Sequence, residues 1–334
     1  MELLISMALM SINLCLMLGL TFGVLILLRP VTRRLLRPKH QVVLWFAGWI
    51  MGFNMSLYTT CGKLLPLPFT FRGLLMPKGA TPGQPAFLAL ASDPEQAEVL
   101  SRGSLSPLPL SDRAAQILTI IWLVFLVALV AAWLLQDFRL RQVMQRGTVL
   151  PSESLSAYDL VSDTAVYLCP GLPTSFVRYG AAFSIADERH LICLQKELPP
   201  EQMRLVLLHE CTHLRLHHAW FKAIMMMVVI LNFAWNPLLW AAYRLTCRDM
   251  ELACDEAVME QFSPTDRRNY ARALVELGSG RCLWGGAASF SECDTVLRVK
   301  RLVSWQPWTP GSNAPSLVLT VLFLLFVFCG GSPL

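Results

Sequence analysis

Charge is what this chain has least of. Of its 334 residues only 15% are Asp, Glu, Lys or Arg, where a soluble domain carries about 25%, and 54% are hydrophobic. That balance excludes a disordered or collagenous chain and makes an ordinary cytosolic enzyme a poor fit. Cysteine is sparse as well: ten residues, mostly inside apolar runs and without a Cys-x-x-Cys pair, which argues against a disulfide scaffold. There is no convincing internal repeat and no long block of like charge. The excess of positive charge is only +5, so its placement matters more than its size. No charged residue follows Arg301. The start, Met1-Glu2, lacks the basic opening of a signal peptide, and the apolar run behind it ends in basic residues.

Long uncharged runs are what the chain does have. A membrane-spanning helix needs roughly 20 apolar residues to cross about 30 Å of hydrocarbon. Residues 3–28 and 114–136 meet that length, 41–62 forms a more polar second run, and 315–329 forms the core of a fourth. The short flanks set an orientation. Arg29, Arg33, Arg34, Arg37, Lys39 and His40 lie between the first two runs, Arg139, Arg141 and Arg146 follow the third, and Lys300 and Arg301 precede the fourth. The positive-inside tendency places all three basic flanks in the cytoplasm and both chain ends outside. Residues 63–113, rich in proline, form an external loop. The expected organisation is a membrane region over 1–136, a cytoplasmic domain over 137–308 and a last span over 315–334.

The chemistry falls in the cytoplasmic part. Segments 157–169 and 183–194 read as strands around turns. Pro199 and Pro200 then open a helix, where missing backbone donors cost nothing, and Glu201 suits its positive end. Within it stands His209-Glu210-Cys211-Thr212-His213. Residues four apart share a helix face, so His209 and His213 can hold one metal ion. Zinc suits neutral imidazole, and Glu210 is placed to accept a proton from an activated water. Taken alone, HExxH also fits a histidine pair on a solvated helix face. Downstream, RDMELACDEA puts Glu251 and Asp255 on one helix face. Glu251 can complete the ligand set, and Asp255 can accept a hydrogen bond from a ligating imidazole. Asp249 and Glu256 read as surface or helix-supporting residues.

Residues 223–243 are uncharged and long enough to span, but one crossing would separate His209 from Glu251. The segment is therefore expected to double back, breaking near Asn236-Pro237.

These motifs, in order, resemble the M56 peptidases, the membrane metalloprotease part of the BlaR1/MecR1 antibiotic-sensing proteins. The resemblance rests on PGLPTSFVRYG, LICLQKELP, LLHECTHLRLHH, NFAWNPLLWAAYRL, RDMELACDEAV, YARALVEL and VKRLV. It implies a polytopic α-helical membrane protein with a cytoplasmic, mainly helical α+β zinc-metalloprotease domain of gluzincin type. It implies zinc (Zn2+) on His209, His213 and Glu251, Glu210 as general base, and Asp255 behind the ligands. His218 stands where an acidic residue is common in the family, which weakens any role assigned there. The sensors of the family carry a penicillin-binding domain after the fourth span, for which this chain leaves no room. A signalling endopeptidase is therefore expected, cleaving a cytosolic regulator such as a transcriptional repressor, with its trigger left open between a separate sensor protein, membrane stress and a ligand of the 63–113 loop. Direct nucleic-acid binding is not expected. The competing expectations are a zinc-stabilised scaffold without activity, a membrane quality-control protease and, on span number alone, a transporter.

Overall fold

The structure, a computed structural model, describes residues 2–51, 112–155, 158–170, 175–178, 190–231, 235–277, 288–307, 314 and 316–322. The external loop, the end of the second apolar run and most of the fourth lie outside these residues. The chain divides into two compact units: Met1–Ala132 with Ile224–Thr246 and Pro310–Leu334, and Trp133–Ala223 with Cys247–Thr309.

The first unit is helical. Helix α1, Glu2–Leu35, contains the whole 3–28 run and continues through Pro30, so Arg29, Arg33 and Arg34 lie in its last turns and not in a linker. Helix α2, Pro38–Met51, packs back on it. Phe22 of α1 sits against Trp45 and Trp49, with ring centroids 6.2 and 4.5 Å away. Gly48 permits this closeness, because a Cβ there would lie 2.9 Å from the Phe22 ring. Helix α3, Asp112–Gln145, extends beyond the apolar run at both ends. Its stretch Gln116–Gln145 is, among the described residues, the single unbroken helix long and apolar enough to cross a membrane. Ile117, Ile120, Val124, Val127, Leu134 and Leu135 are exposed along it.

The 223–243 segment does double back. Helix α6, His218–Leu231, ends before a turn, and helix α7, Pro237–Met259, starts at the expected proline. Asn236 makes that turn. Its Oδ1 accepts from the Leu238 N–H at 3.0 Å, capping α7, while its Nδ2 donates to the Cys15 carbonyl at 3.1 Å. Gly19 makes room for it, since a Cβ there would lie 2.6 Å from Asn236 Nδ2. Trp122 Nε1 donates to the Leu231 carbonyl, and Trp49 Nε1 donates to Thr246 Oγ1.

The second unit is a mixed α+β domain. Strands β1 (Thr148–Val149), β2 (Thr164–Leu168), β3 (Phe176–Arg178) and β4 (His190–Leu194) form one sheet in the order β1-β2-β4-β3. Strands β2 and β4 run parallel, and the other two pairs are antiparallel. The short helix α4 (Ser152–Leu155) follows β1. Helix α5, Pro200–Arg215, lays Leu207, Cys211 and Leu214 on Val166, Ile192 and Leu194 of the sheet. Those positions share one face at helical spacing. On its other side Leu205 joins Val258, Met259, Phe262, Tyr270 and Leu302 in a second core. That core gathers α5, α7, helix α8 (Pro264–Leu277) and helix α9 (Ala288–Val303). Helix α8 starts on Ser263, whose Oγ accepts from the Asp266 N–H and donates to the Asp266 carboxylate. Helix α5 ends at Arg215, His217 in the break has a φ of 55°, and α6 sets off at an angle of 55° to α5.

Candidate metal centre

The sheet-facing stripe of α5 fixes where the histidines point. His209 is two residues beyond Leu207, and His213 two beyond Cys211, so each is rotated by about 200° from the sheet face. His209 meets Glu251 of α7, Tyr270 of α8 and Arg298 of α9, His213 meets Glu251 of α7 and His218 of α6, and both histidines are buried. Their Nε2 atoms lie 3.2 Å apart. Glu251 of α7 spans the pair, with Oε2 3.4 Å from His209 Nε2 and Oε1 3.4 Å from His213 Nε2. A tetrahedral zinc ion with bonds of about 2.0–2.1 Å requires donor-to-donor edges of about 3.3 Å. The three side chains therefore fit one ion, and their chemistry, two imidazoles and a carboxylate, suits zinc. Glu210, the next residue on α5, is also buried. A solvated histidine pair is excluded by this burial.

A second set shares His213. His213, His218 and Cys254 also bring donor atoms within 4.8 Å of one another, all three residues being buried. His218 Nδ1 lies 3.1 Å from His213 Nδ1 and 3.3 Å from Cys254 Sγ. Burial, with the nearby His213 and Lys222, pushes His218 down to about 2, so its imidazole is neutral. Burial together with Glu251 and Asp255 holds the Cys254 thiol well above its usual range. The His209–His213–Glu251 set is the one whose two histidines stand four apart on one helix.

The carboxylates behave oppositely. Burial alone would raise Glu251, but His213, close contacts with both histidines and Lys222 pull it well below the ordinary carboxylate range. Lys222 Nζ lies 3.6 Å from its Oε1. Burial also opposes ionisation of Asp255, and Arg298 overcomes it. Arg298 of α9 donates through Nε to Asp255 Oδ2 and through Nη2 to Asp255 Oδ1, both at 2.7 Å. Its Nη1 reaches Glu251 Oε2 at 3.4 Å.

Asp255 does not bond His209 directly. Its Oδ1 is 3.6 Å from His209 Nδ1, and the Tyr270 hydroxyl stands between them. Tyr270 lies 2.8 Å from His209 Nδ1 and donates to Asp255 Oδ1 at 2.7 Å. Tyr270, Arg298, Lys222 and His218 were not singled out for the site from sequence. Of the reading of Asp249 and Glu256 as surface or helix-supporting residues, the surface half is overturned: both are buried.

Two buried histidines on an HExxH helix and the half-buried Glu251 of α7, backed by a carboxylate, form a potential metal-binding cluster of the kind zinc proteases use. No curated protein matches this chain. The family described as BlaR1 peptidase M56 matches residues 7–302, a stretch that runs from α1 through every helix of the centre. With most of its length inside that match, the chain belongs to the BlaR1 peptidase M56 family.

Proposed function

We propose that this chain is a multi-pass membrane zinc endopeptidase that cleaves a cytosolic regulator, such as a transcriptional repressor. The observation that carries the reading is the closure of His209, His213 and Glu251 to edges of 3.2–3.4 Å beside the buried Glu210. Family membership and the apolar α3 support a membrane location. The proposed topology has four spans, both ends outside and the 137–308 part in the cytoplasm, as the basic flanks suggest. A separate protein of the envelope would supply the signal.

A zinc ion held by His209, His213 and Glu251 would supply Lewis acidity to a water and to the scissile carbonyl. Glu210 takes the water's proton and returns it to the leaving amide nitrogen. Glu251 stays ionised through its histidine and Lys222 contacts. Tyr270 accepts from His209 Nδ1–H and passes the hydrogen bond to Asp255, which keeps the His209 Nε2 lone pair on the ligand side. Arg298 neutralises the acids behind the centre.

The test compares cellular protein termini in strains carrying the wild type or Glu210→Gln. One regulator cut only by the wild type supports the proposal. Broad loss of membrane proteins points to quality control instead. No difference with a zinc-loaded, inserted protein favours a scaffold. Labelling from outside at a cysteine placed at Gln145 would refute the topology.

A further inference from the structure

His213 has two ring nitrogens, and the fold gives each a different task. Nε2 faces His209 Nε2 at 3.2 Å and Glu251 Oε1 at 3.4 Å. Nδ1 faces His218 Nδ1 at 3.1 Å, with the two rings edge to face at 71°. Two imidazole nitrogens at that distance attract only if one carries the hydrogen and the other does not. If His218 held the hydrogen, the His213 lone pair would point at His218 and its Nε2 would be an N–H aimed at the ligand set. If His213 Nδ1 holds it, His218 accepts and the Nε2 lone pair faces the metal position. Both side chains are buried, so water does not substitute for either partner.

We propose that His218 is a positioning residue for the centre: it accepts the His213 Nδ1–H and thereby fixes the tautomer in which His213 can ligate through Nε2. This rests on the zinc reading above. His218 Nδ1, 3.1 Å from His213 Nδ1, is the acceptor that the packing of α6 on α5 supplies. Its own hydrogen then sits on Nε2. The Cys254 thiol, 3.3 Å from the same Nδ1, is a weak donor and competes poorly for that lone pair. His218 thus does with a neutral ring what a carboxylate does behind many metal-bound histidines. Cys254 gives it a neutral, small neighbour.

The test measures zinc affinity of the full-length chain in detergent by competition with a chromophoric chelator. Wild type, His213→Ala, His218→Phe, His218→Asn and Cys254→Ala are compared. Phenylalanine keeps the ring and removes the acceptor, whereas asparagine places Oδ1 near the position of the lost Nδ1. The expected result is a 10–100-fold weaker affinity in His218→Phe, the usual effect of removing such an outer partner. His218→Asn should restore most of it, and Cys254→Ala should bind zinc like wild type. Wild-type affinity in His218→Phe overturns the proposal. So does a loss in Cys254→Ala as large as that in His213→Ala, which would place the ion in the His213–His218–Cys254 set. Unchanged affinity in His213→Ala would instead sink the zinc reading itself. A second measurement needs no variant at position 218. Nitrogen-15 histidine spectra of the metal-free wild-type chain, assigned with His213→Gln, should show His213 as the Nδ1–H tautomer, and the Nε2–H form would overturn the proposal.

Discussion

Replacing Tyr270 with phenylalanine removes one oxygen from the centre and little else. The ring keeps its edge-to-face contact with Phe262, at a centroid distance of 5.7 Å. Asp255 keeps both hydrogen bonds from Arg298 at 2.7 Å, so its charge remains matched. The loss falls on His209. Its Nδ1 bonds the hydroxyl at 2.8 Å, and the next acceptor, Asp255 Oδ1, is 3.6 Å away. A buried donor without a partner costs about 1–3 kcal/mol. Losing the partner of a ligating histidine lowers metal affinity by roughly 10–100-fold, or about 1.4–2.7 kcal/mol at about 1.4 kcal/mol per tenfold. The two routes give the same range. Chelator competition on the full-length chain should therefore show zinc bound 10–100-fold more weakly. Thermal melting of the metal-free chain should fall as well, by about the same 1–3 kcal/mol. In Asp255→Asn the same Tyr270→Phe change should cost less, because the two groups act on His209 in series. Unchanged zinc affinity in a folded Tyr270→Phe protein would refute the relay, and equal losses in the two backgrounds would show that the groups act independently.

Further outcomes can be checked alongside it. Arg298→Met leaves the Asp255 carboxylate buried without its cation and should cost about 3–5 kcal/mol in chemical or thermal unfolding, with part recovered by Asp255→Asn in the same chain. Glu251→Ala should lose zinc and activity together, whereas Glu210→Gln should keep zinc and lose turnover, as metal content and peptide hydrolysis will report. His213 and His218 are pushed below their ordinary 6.5, so below that pH the unfolded chain binds protons that the folded chain refuses. Melting of the metal-free chain should therefore drop as pH falls from about 7 toward 5, and further as Asp255 and Glu251 are driven toward their lowered folded values. A flat profile would contradict these assignments. Gly19→Ala would force its new methyl against Asn236 Nδ2 and should cost about 1 kcal/mol or more through the lost bond to the Cys15 carbonyl, read as a lower melting temperature.

The parts of the centre that were legible in the sequence are those set by helix period. His209 with His213, and Glu251 with Asp255, declare themselves by a spacing of four within apolar surroundings. The doubling back at Asn236-Pro237 was legible because a cap and a proline punctuate the chain there, and because one metal cannot be held by helices pulled apart. Tyr270 was not legible: it sits at an ordinary core position of an amphipathic helix, and only the packing of α8 on α7 brings its hydroxyl to His209. Arg298 was hidden among the basic residues before the last apolar run, where a charge reads as a membrane flank. The burial of Asp249 and Glu256 was not legible, because helix period shows which residues share a face but not how many faces are covered. The strands were legible in place, at 164–168 and 190–194, but their parallel pairing was not, since it depends on a crossover that local pattern does not encode.

The doubling back has a consequence for how the centre takes up its ion. Glu251 comes 42 residues after His209, with α6 leading away and α7 leading back. Closing so long a flexible loop would cost roughly 3 kcal/mol beyond a fixed term. Here two stiff helices carry that cost, so the carboxylate is held beside the histidines at high effective concentration. The first two donors alone, four residues apart on one helix, would exchange zinc freely. The third makes retention a property of the turn at Asn236, and a hinge introduced there would speed the release of zinc while leaving every donor atom in the chain.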